Sequence, residues 1–278
     1  MCDDGAEEAQ QLASDEQLAN WCDRFAAYRK RPKRETLLEW LARFDLADIS
    51  IAHRILDAVL IISEEEILQG YRSALEHLPG WSRKAAERTG RWFFVGAGAA
   101  GESGPAMLRL FREANGMAAA GWQPFFLTPL DLPRLSLSAY DSVVFVDDFA
   151  GTGSQMVDYW PLMQELIASE AKCYLVLTAI TTRAAEAIAA STDLQVRAEI
   201  TLDESHNVFS AECPLFNAQE KAILDQYGTI ASPERPRGFG DCGLTLVLSH
   251  KTPNNTLPIL HANHPAWIGP FPRYLLAA

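Results

Sequence analysis

The sequence predicts an α/β fold, in which a parallel sheet of about five strands is preceded by an N-terminal helical layer. Up to about residue 85, apolar residues recur at helical spacing. After residue 92, short apolar runs alternate with helical stretches, which is the order expected of right-handed crossovers between parallel strands. A chain of 278 residues, with 48% hydrophobic and 22% charged residues, can bury a core of this size.

The first part of the chain, residues 1–88, is predicted to be a helical region. Ser14 with Gln17, and Ser63 with Glu66, have the spacing of capping boxes, in which two side chains satisfy orphan amide groups at a helix start. The apolar residues behind these caps form stripes at helical spacing. Such stripes are typical of packing surfaces, so we assign no chemistry to this region.

The second part, residues 89–278, is predicted to be the α/β domain, which ends in a C-terminal hood segment. Its strands are expected in RWFFVGAG, PFFLTPL, SVVFVDDF, CYLVLTAI and QVRAEITL, with a late strand in LTLVLS. Helices are expected over residues 105–114, 156–169, 182–190 and 218–227. Open parallel sheets bind their ligands outside the carboxyl ends of the strands, so the loops at those ends are the candidate sites.

Charge and composition indicate which partners and which cellular compartment to expect. The net charge of −12 disfavours nucleic acid as a partner, because non-specific affinity for it comes from basic residues. The exception is a basic run, RKRPKR, from Arg29 to Arg34, which is either a solvated loop between helices or an anion contact. We expect no membrane span and no secretory leader. Five widely spaced cysteines suit free thiols, so we expect a cytoplasmic protein.

The segment VVFVDDFAGTGSQ, residues 143–155, is the strongest candidate for a site. Asp147 and Asp148 follow a buried strand, and carboxylates there can accept hydrogen bonds from a ribose diol or hold Mg²⁺ through water. The chain then turns into a helix, where amide groups and the positive helix end form a phosphate site. The residues expected to contribute to that phosphate site are Gly151, Thr152, Gly153, Ser154 and Gln155.

This segment resembles the phosphoribosyl-pyrophosphate motif of type I phosphoribosyltransferases, because an apolar strand, two acids, three variable residues and Thr-Gly follow in the same order. The resemblance implies that Asp147 and Asp148 are catalytic and bind the ribose hydroxyls, and that residues 151–155 bind the 5′-phosphate. It implies a phosphoribosyltransferase-like, Rossmann-like sheet. It also implies phosphoribosyl pyrophosphate or a related nucleotide as the ligand, and Mg²⁺ as the cofactor.

Three departures from the family's pattern bear on the reaction. Gln155 replaces the usual hydroxyl residue at the last position of the motif. Gly151 stands where purine-using members often have an acid that handles a proton on the base. Only the short connection 128–142 separates two predicted strands, which leaves no room for a long mobile catalytic loop. We therefore do not expect ordinary purine salvage.

The loop after the strand RWFFV reads GAGAAG, and three interpretations of it stay open. In a phosphoribosyltransferase-like fold this loop binds pyrophosphate, and the expected contributors are Ala97, Gly98, Ala99, Gly101, Glu102 and Ser103. The same letters match the G-x-G-x-x-G of dinucleotide-binding folds, but no acid follows until Asp131, which is too far along. A nucleophile elbow at Ser103 lacks its final glycine, which is replaced by Pro105.

A late loop, rich in amide side chains, follows the strand LTLVLS and forms the predicted hood. The expected substrate contacts of this hood are His250, Asn254, Asn255 and Thr256. The alternative is a turn that Asn side chains hold between two prolines. Taken with DDFAGTGSQ, the string TPNNTLPIL resembles phosphoribosyltransferase-like proteins of bacterial conflict and anti-phage systems. That resemblance implies a defence role and a protein partner encoded in a defence operon.

The sequence leads to two functions of different classes. The first is a Mg²⁺-dependent, phosphoribosyltransferase-like glycosyltransferase, which the presence of both Asp147 and Asp148 favours. The second is a non-catalytic nucleotide or phosphosugar sensor that regulates a partner effector. The absence of a base-handling acid and of a mobile loop favours this second function. Release of pyrophosphate during turnover distinguishes the two.

Overall fold

The described residues of the computed structural model are 12–98, 103–167 and 170–274. The chain divides into two compact units. The central unit is Glu65–Asp203, and the terminal unit combines Met1–Glu64 with Glu204–Ala278. The chain therefore leaves the terminal unit once, builds the central unit, and returns.

The helices of the described residues are, in chain order, α1 Asp15–Arg24, α2 Arg34–Leu41, α3 Ile49–Ala58, α4 Glu64–Glu76, α5 Gly104–Ala114, α6 Ser154–Ile167, α7 Thr182–Ser191, α8 Ala218–Ala231 and α9 Pro258–His261. Short 3₁₀ turns lie at Phe25–Ala27, Leu46–Asp48, Ala85–Glu87, Ala120–Phe125, Pro129–Arg134, Glu204–His206 and Phe239–Asp241. No helix in this part of the chain is long and apolar enough to cross a membrane.

The strands are β1 Leu60–Ile62, β2 Trp92–Gly96, β3 Phe126–Leu127, β4 Ser142–Val146, β5 Phe149–Ala150, β6 Lys172–Thr181, β7 Gln195–Leu202, β8 Leu246–Leu248, β9 Asn263–His264 and β10 Trp267–Ile268. β3 is shorter than the run PFFLTPL predicts. Pro124 and Pro129 flank it, and a proline has no amide to donate to a sheet.

The central unit is built on a parallel sheet. β3 pairs with β2, β2 with β4, and β4 with β6. The short β5 continues along β6 on the side of β4, and β7 lies on the other side of β6. All these pairings are parallel, and the order across the sheet is β3-β2-β4-β6-β7. The predicted α/β fold is confirmed.

Helices cover both faces of this sheet, which explains why β2 and β4 are buried along their whole length and β6 along all but its first residue. On one face, Phe145 of β4 packs against Trp160 of α6, and the same core includes Ile188 of α7. On the other face, Phe111 of α5 packs against Phe94 of β2, with 5.1 Å between the ring centroids. This layering leaves the loops at the carboxyl ends of the strands as the place for a ligand.

The terminal unit has its own apolar core. Helices α1–α3, α8 and α9 contribute to it, and the fully buried Trp21 and Trp40 are among its largest side chains. The predicted capping box at Ser14 is present, and Asn217 forms another at the start of α8. In the basic run, Arg34 at the start of α2 forms an ion pair with Asp15.

Two features of the terminal unit differ from the sequence-based expectation. The segment 60–62, predicted as part of a helical stretch, forms strand β1, and the late strand β8 pairs with it in parallel. The late strand therefore belongs to a separate two-stranded sheet rather than to the main one. The division into units also differs from the predicted boundary at residue 88. An apolar stripe on a helix indicates that this face is buried, but it does not indicate which later segment of the chain covers it.

Candidate functional site

Asp147 and Asp148 lie within the strand pairing of the central sheet. β4 and β5 run along β6 in one register, with Asp147 and Asp148 between them. The Asp147 amide donates to the carbonyl of Val176 (3.1 Å), and the Thr178 amide donates to the carbonyl of Asp148 (3.0 Å). Only 8% of Asp147 and 7% of Asp148 is exposed. The two residues follow β4, as the sequence indicated, but they are buried rather than open to solvent, because β6 is longer than β4 and keeps pairing past its end.

A network of hydrogen bonds holds Asp147. Its Oδ1 accepts from the hydroxyl of Ser103 (2.7 Å) and from the amide of Asp148 (2.9 Å). Its carbonyl accepts from the hydroxyl of Tyr71 (2.8 Å), a fully buried residue of α4. Asp148 in turn accepts from the amide of Phe149 through Oδ1 (2.8 Å). The acidic pair is therefore preorganised by residues from three separate segments.

Burial and like charge dominate the electrostatics of the pair. Burial and the neighbouring Asp148 carboxylate raise the pKa of Asp147 well above its usual range, against hydrogen bonds from Ser103 and the Asp148 amide. Burial and the Asp148 charge also raise the pKa of Tyr71, so its hydroxyl stays protonated and keeps donating. A buried acid whose charge is disfavoured is a common feature of a site that receives a cation or a hydroxyl-rich ligand.

The residues present fit the Mg²⁺ that the resemblance implies. Mg²⁺ prefers oxygen ligands and is often held by one or two carboxylates together with water and substrate phosphates. Asp147 and Asp148 offer such oxygens, and a divalent cation would take the place of the proton that the raised pKa of Asp147 retains. Within residues 12–98, 103–167 and 170–274 there is no group of three or more His, Cys, Asp or Glu side chains that could hold a metal.

The turn after the aspartates forms a tight entry to α6. Gly153 has a φ of 75°, and α6 begins at Ser154. The hydroxyls of Thr152 and Ser154 lie 2.8 Å apart and share a hydrogen bond. Thr181, the last residue of β6, donates from its hydroxyl to the Gly151 carbonyl (2.7 Å) and accepts from the first turn of α7. Hydroxyl groups and a helix start are thus brought together beside the acidic pair, while Gln155 is exposed.

Gly153 is required by conformation and by packing. Its φ lies in the left-handed region, which side chains other than glycine rarely adopt. A Cβ atom at this position would lie 2.9 Å from the Ala184 carbonyl oxygen and 3.2 Å from Cγ1 of Ile188. The neighbour that a side chain would strike is therefore α7.

The predicted pyrophosphate loop begins where β2 ends. Gly96 and Gly104 meet backbone to backbone, since a Cβ atom on Gly96 would lie 2.8 Å from the Gly104 carbonyl oxygen. Gly98 has a φ of 86°, and Ala97 is buried. Ser103, the last residue of the predicted loop, donates to Asp147 and so joins the acidic pair. The remaining predicted contributors, Ala99, Gly101 and Glu102, lie outside the described residues.

The hood residues lie in the terminal unit. Asn255 is buried, and its Nδ2 donates to the Phe239 carbonyl (3.0 Å) and to Sγ of Cys242 (3.3 Å). Thr256 is also buried and donates to the carbonyl of Leu246. These bonds agree with the alternative of a turn held by Asn side chains. Contacts of His250 and Asn254, both half-buried, with a substrate stay predictions.

A family model described as PRTase-CE matches residues 37–273, which is most of the chain. The chain belongs to the PRTase-CE family. This membership makes it phosphoribosyltransferase-like, as the segment 143–155 indicated. The matched range begins within α2 and ends next to the last described residue, so the family's extent includes both units. No curated protein matches the sequence.

Two residues that shape this site, Tyr71 and Thr181, were not predicted from the sequence. Tyr71 lies on an apolar stripe of α4, where nothing distinguishes a side chain that reaches a strand end from one that only packs. Thr181 is a strand-end threonine that caps α7, and a capping threonine before a helix is a recognisable signal. Its bond to Gly151 depends on the parallel pairing of β5 with β6, which the sequence does not specify.

Proposed function

We propose that residues 147–155 bind the phosphoribosyl group of phosphoribosyl pyrophosphate, or of a related nucleotide, together with Mg²⁺. We further propose that the protein is a glycosyltransferase. The observation that carries both proposals is the position of a buried acidic pair directly before a left-handed glycine turn that opens a helix. Carboxylates suit a ribose diol, and a helix start suits a phosphate, so the two halves of one ligand have adjacent partners.

Each part of the site has a distinct role in this proposal. Asp147 and Asp148 accept hydrogen bonds from the two ribose hydroxyls. Thr152 and Ser154 donate to the 5′-phosphate, with the amide groups at the start of α6. Ser103 and Tyr71 position Asp147 through its side chain and its carbonyl. Because these partners are in place before the ligand arrives, little ordering is needed on binding.

The reaction that fits this arrangement is substitution at the anomeric carbon. A nucleophile on the acceptor forms a bond to that carbon while the bond to pyrophosphate breaks, and pyrophosphate leaves with the electron pair. Positive charge develops on the ribose ring, and the neighbouring carboxylates stabilise it. Bound Mg²⁺ would supply charge neutralisation for the pyrophosphate. The fixed turn and acidic pair hold the ribose in one orientation.

Calorimetric titration with phosphoribosyl pyrophosphate, with and without Mg²⁺, tests the proposal. We expect binding that requires Mg²⁺ and strengthens as the pH rises, because ionisation of Asp147 is disfavoured and metal binding must displace its proton. The double variant Asp147→Asn/Asp148→Asn should remove this binding, whereas Asp193→Asn, an exposed acid of the same unit, should not. Unchanged affinity in a folded double variant would exclude these residues as the ribose site.

The connection between β3 and β4 favours the second candidate, a non-catalytic sensor. This segment is fixed rather than open: Thr128 and Asp131 form a capping box, Leu132 is buried, and Asp141 is bound by Arg91. A catalytic loop that closes over the acceptor has no counterpart in this connection. Pyrophosphate release during incubation with candidate acceptors decides between the two, since a sensor binds the ligand but leaves it intact.

A role in anti-phage defence, with a protein partner from the same operon, is the narrowest part of the proposal. Its support is the resemblance of DDFAGTGSQ and TPNNTLPIL to conflict-system proteins. We place the protein in the cytoplasm because Cys22, Cys173 and Cys213 form no disulfide bond in the described part of the chain. Plating efficiency of phage on cells that carry the operon tests the role. Protection should be lost with Asp147→Asn/Asp148→Asn, and equal protection by the variant would contradict it.

A further inference from the structure

A cavity of about 310 Å³ opens at the end of the central sheet that is opposite the aspartates. Arg91 and Trp92 at the start of β2 line it, together with Phe125 before β3, and Arg88. Asp147 follows the carboxyl end of the adjacent β4. At roughly 3.3 Å per residue, the length of β2 places the cavity and the aspartates roughly 16 Å apart. The cavity is therefore separate from the site at residues 147–155.

Arg88 is the polar centre of this cavity. Its guanidinium lies over the rings of Trp81, Phe125 and Trp122, at 4.6, 5.0 and 5.2 Å from their centroids. Its Nε donates to the Ser82 carbonyl (2.6 Å) and its Nη2 to the Arg83 carbonyl (3.0 Å). The side chain is thus fixed by aromatic stacking and by two backbone acceptors.

Within the described part of the chain, the charge of Arg88 is not neutralised by an acidic side chain. Among residues 12–98, 103–167 and 170–274, no carboxylate forms an ion pair with it, and its Nη1 donates to no other residue. Burial lowers the pKa of Arg88, which shows that its charge is partly desolvated. Arg91, in contrast, is paired with Asp141 and also donates to two backbone carbonyls. Arg88 therefore supplies the cationic group available to a ligand, and Arg91 is part of the wall.

We propose that this cavity binds a nucleoside monophosphate, with the base against the aromatic wall and the phosphate on Arg88. Flat aromatic walls stack bases of any identity, and an arginine fork matches the oxygens of a phosphate. The volume is at the lower end of the ~300–1,000 Å³ that small-molecule sites occupy. The net charge of −12 disfavours a long nucleic acid, so a single nucleotide is the better occupant.

Titration of the full-length protein with AMP and with UMP, followed by calorimetry and by tryptophan fluorescence, tests this proposal. Trp92 lines the cavity, and Trp81 and Trp122 stack on Arg88, so a nucleotide bound there should quench tryptophan emission. Arg88→Gln removes the charge and should weaken binding roughly 10- to 100-fold. The matched control is Arg112→Gln, because Arg112 also stacks on a ring and donates to backbone carbonyls but does not line the cavity.

A second pair of variants covers the case in which Arg88→Gln fails to fold. Ala85 lines the cavity and is exposed, so Ala85→Phe should fill the cavity and remove binding while Arg88 stays in place. Ala86→Phe is the control, since Ala86 is exposed and does not line the cavity. Equal affinity in both phenylalanine variants would overturn the proposal. So would loss of the nucleotide in Gly153→Ala alone, because the ligand would then belong to the loop at residues 147–155.

Discussion

Replacement of Gly153 by alanine tests the geometry of the phosphate turn most directly. The φ of 75° places this residue in the left-handed region, which costs a residue with a Cβ atom about 1–2 kcal/mol. The new Cβ would also lie 2.9 Å from the Ala184 carbonyl oxygen, and a backbone oxygen in α7 cannot move cheaply. Overpacking of this kind typically costs about 1–3 kcal/mol. We expect a total loss of about 2–5 kcal/mol in the free energy of unfolding.

Gly121→Ala provides the control, because a Cβ atom on Gly121 would meet nothing within 4 Å and its φ is not left-handed. This control should leave stability unchanged within about 0.5 kcal/mol. Urea denaturation of both variants measures the difference, and titration with inorganic phosphate measures the turn itself. Gly153→Ala should weaken phosphate binding, because α6 must shift away from α7. If Gly153→Ala is as stable as Gly121→Ala, the turn does not have the left-handed conformation that the proposed phosphate site requires.

Two further predictions concern the frame around the site. Asp141 accepts hydrogen bonds from Arg91 that hold its pKa far below the usual range, so Asp141→Asn should cost about 2–4 kcal/mol at neutral pH. Because that pKa is depressed, the contribution is present above the unfolded value of about 4 and is lost as the pH falls below it. The difference from wild type in denaturant titrations should therefore shrink in acid, and a constant difference would contradict the assignment. In the terminal unit, Asn255→Ala should lower stability by about 1–3 kcal/mol through two lost buried bonds, whereas Asn254→Ala should not. Equal effects of the two substitutions would show that the turn is not held by the Asn255 side chain.

Much of the fold could be predicted because its signals are local. The helix expected at residues 182–190 is Thr182–Ser191, and the one expected at residues 105–114 is Gly104–Ala114. Buried parallel strands are continuous apolar runs, so β4 and β6 were also recognisable. Local patterns do not specify which distant segment completes a core. The pairing of β1 with β8 was therefore not predicted, since the paired residues lie 186 positions apart in the sequence.

The candidate site shows the same division between local and distant information. The order of acids, glycines and hydroxyls indicated the turn at Gly153, because those residue types have local conformational preferences. The depth of Asp147 could not be predicted, since it depends on how far β6 extends beyond β4. The contact made by Tyr71 could not be predicted either. Its hydroxyl donates to the carbonyl of Asp147, which lies 76 residues later in the chain.

The burial of the acidic pair itself argues for a ligand. A carboxyl group with a raised pKa stabilises the fold below the unfolded value of about 4, and this contribution is lost as the pH rises through the folded pKa. Near neutral pH, ionisation of Asp147 therefore works against the fold. No basic side chain in the described part of the chain pairs with Asp147, so these residues offer it no counter-charge. Asp147→Asn should raise the free energy of unfolding in the absence of ligand. The same substitution should abolish binding of Mg²⁺ with phosphoribosyl pyrophosphate. A group that lowers stability and has no basic partner in the described part of the chain is best explained by the ligand that completes it.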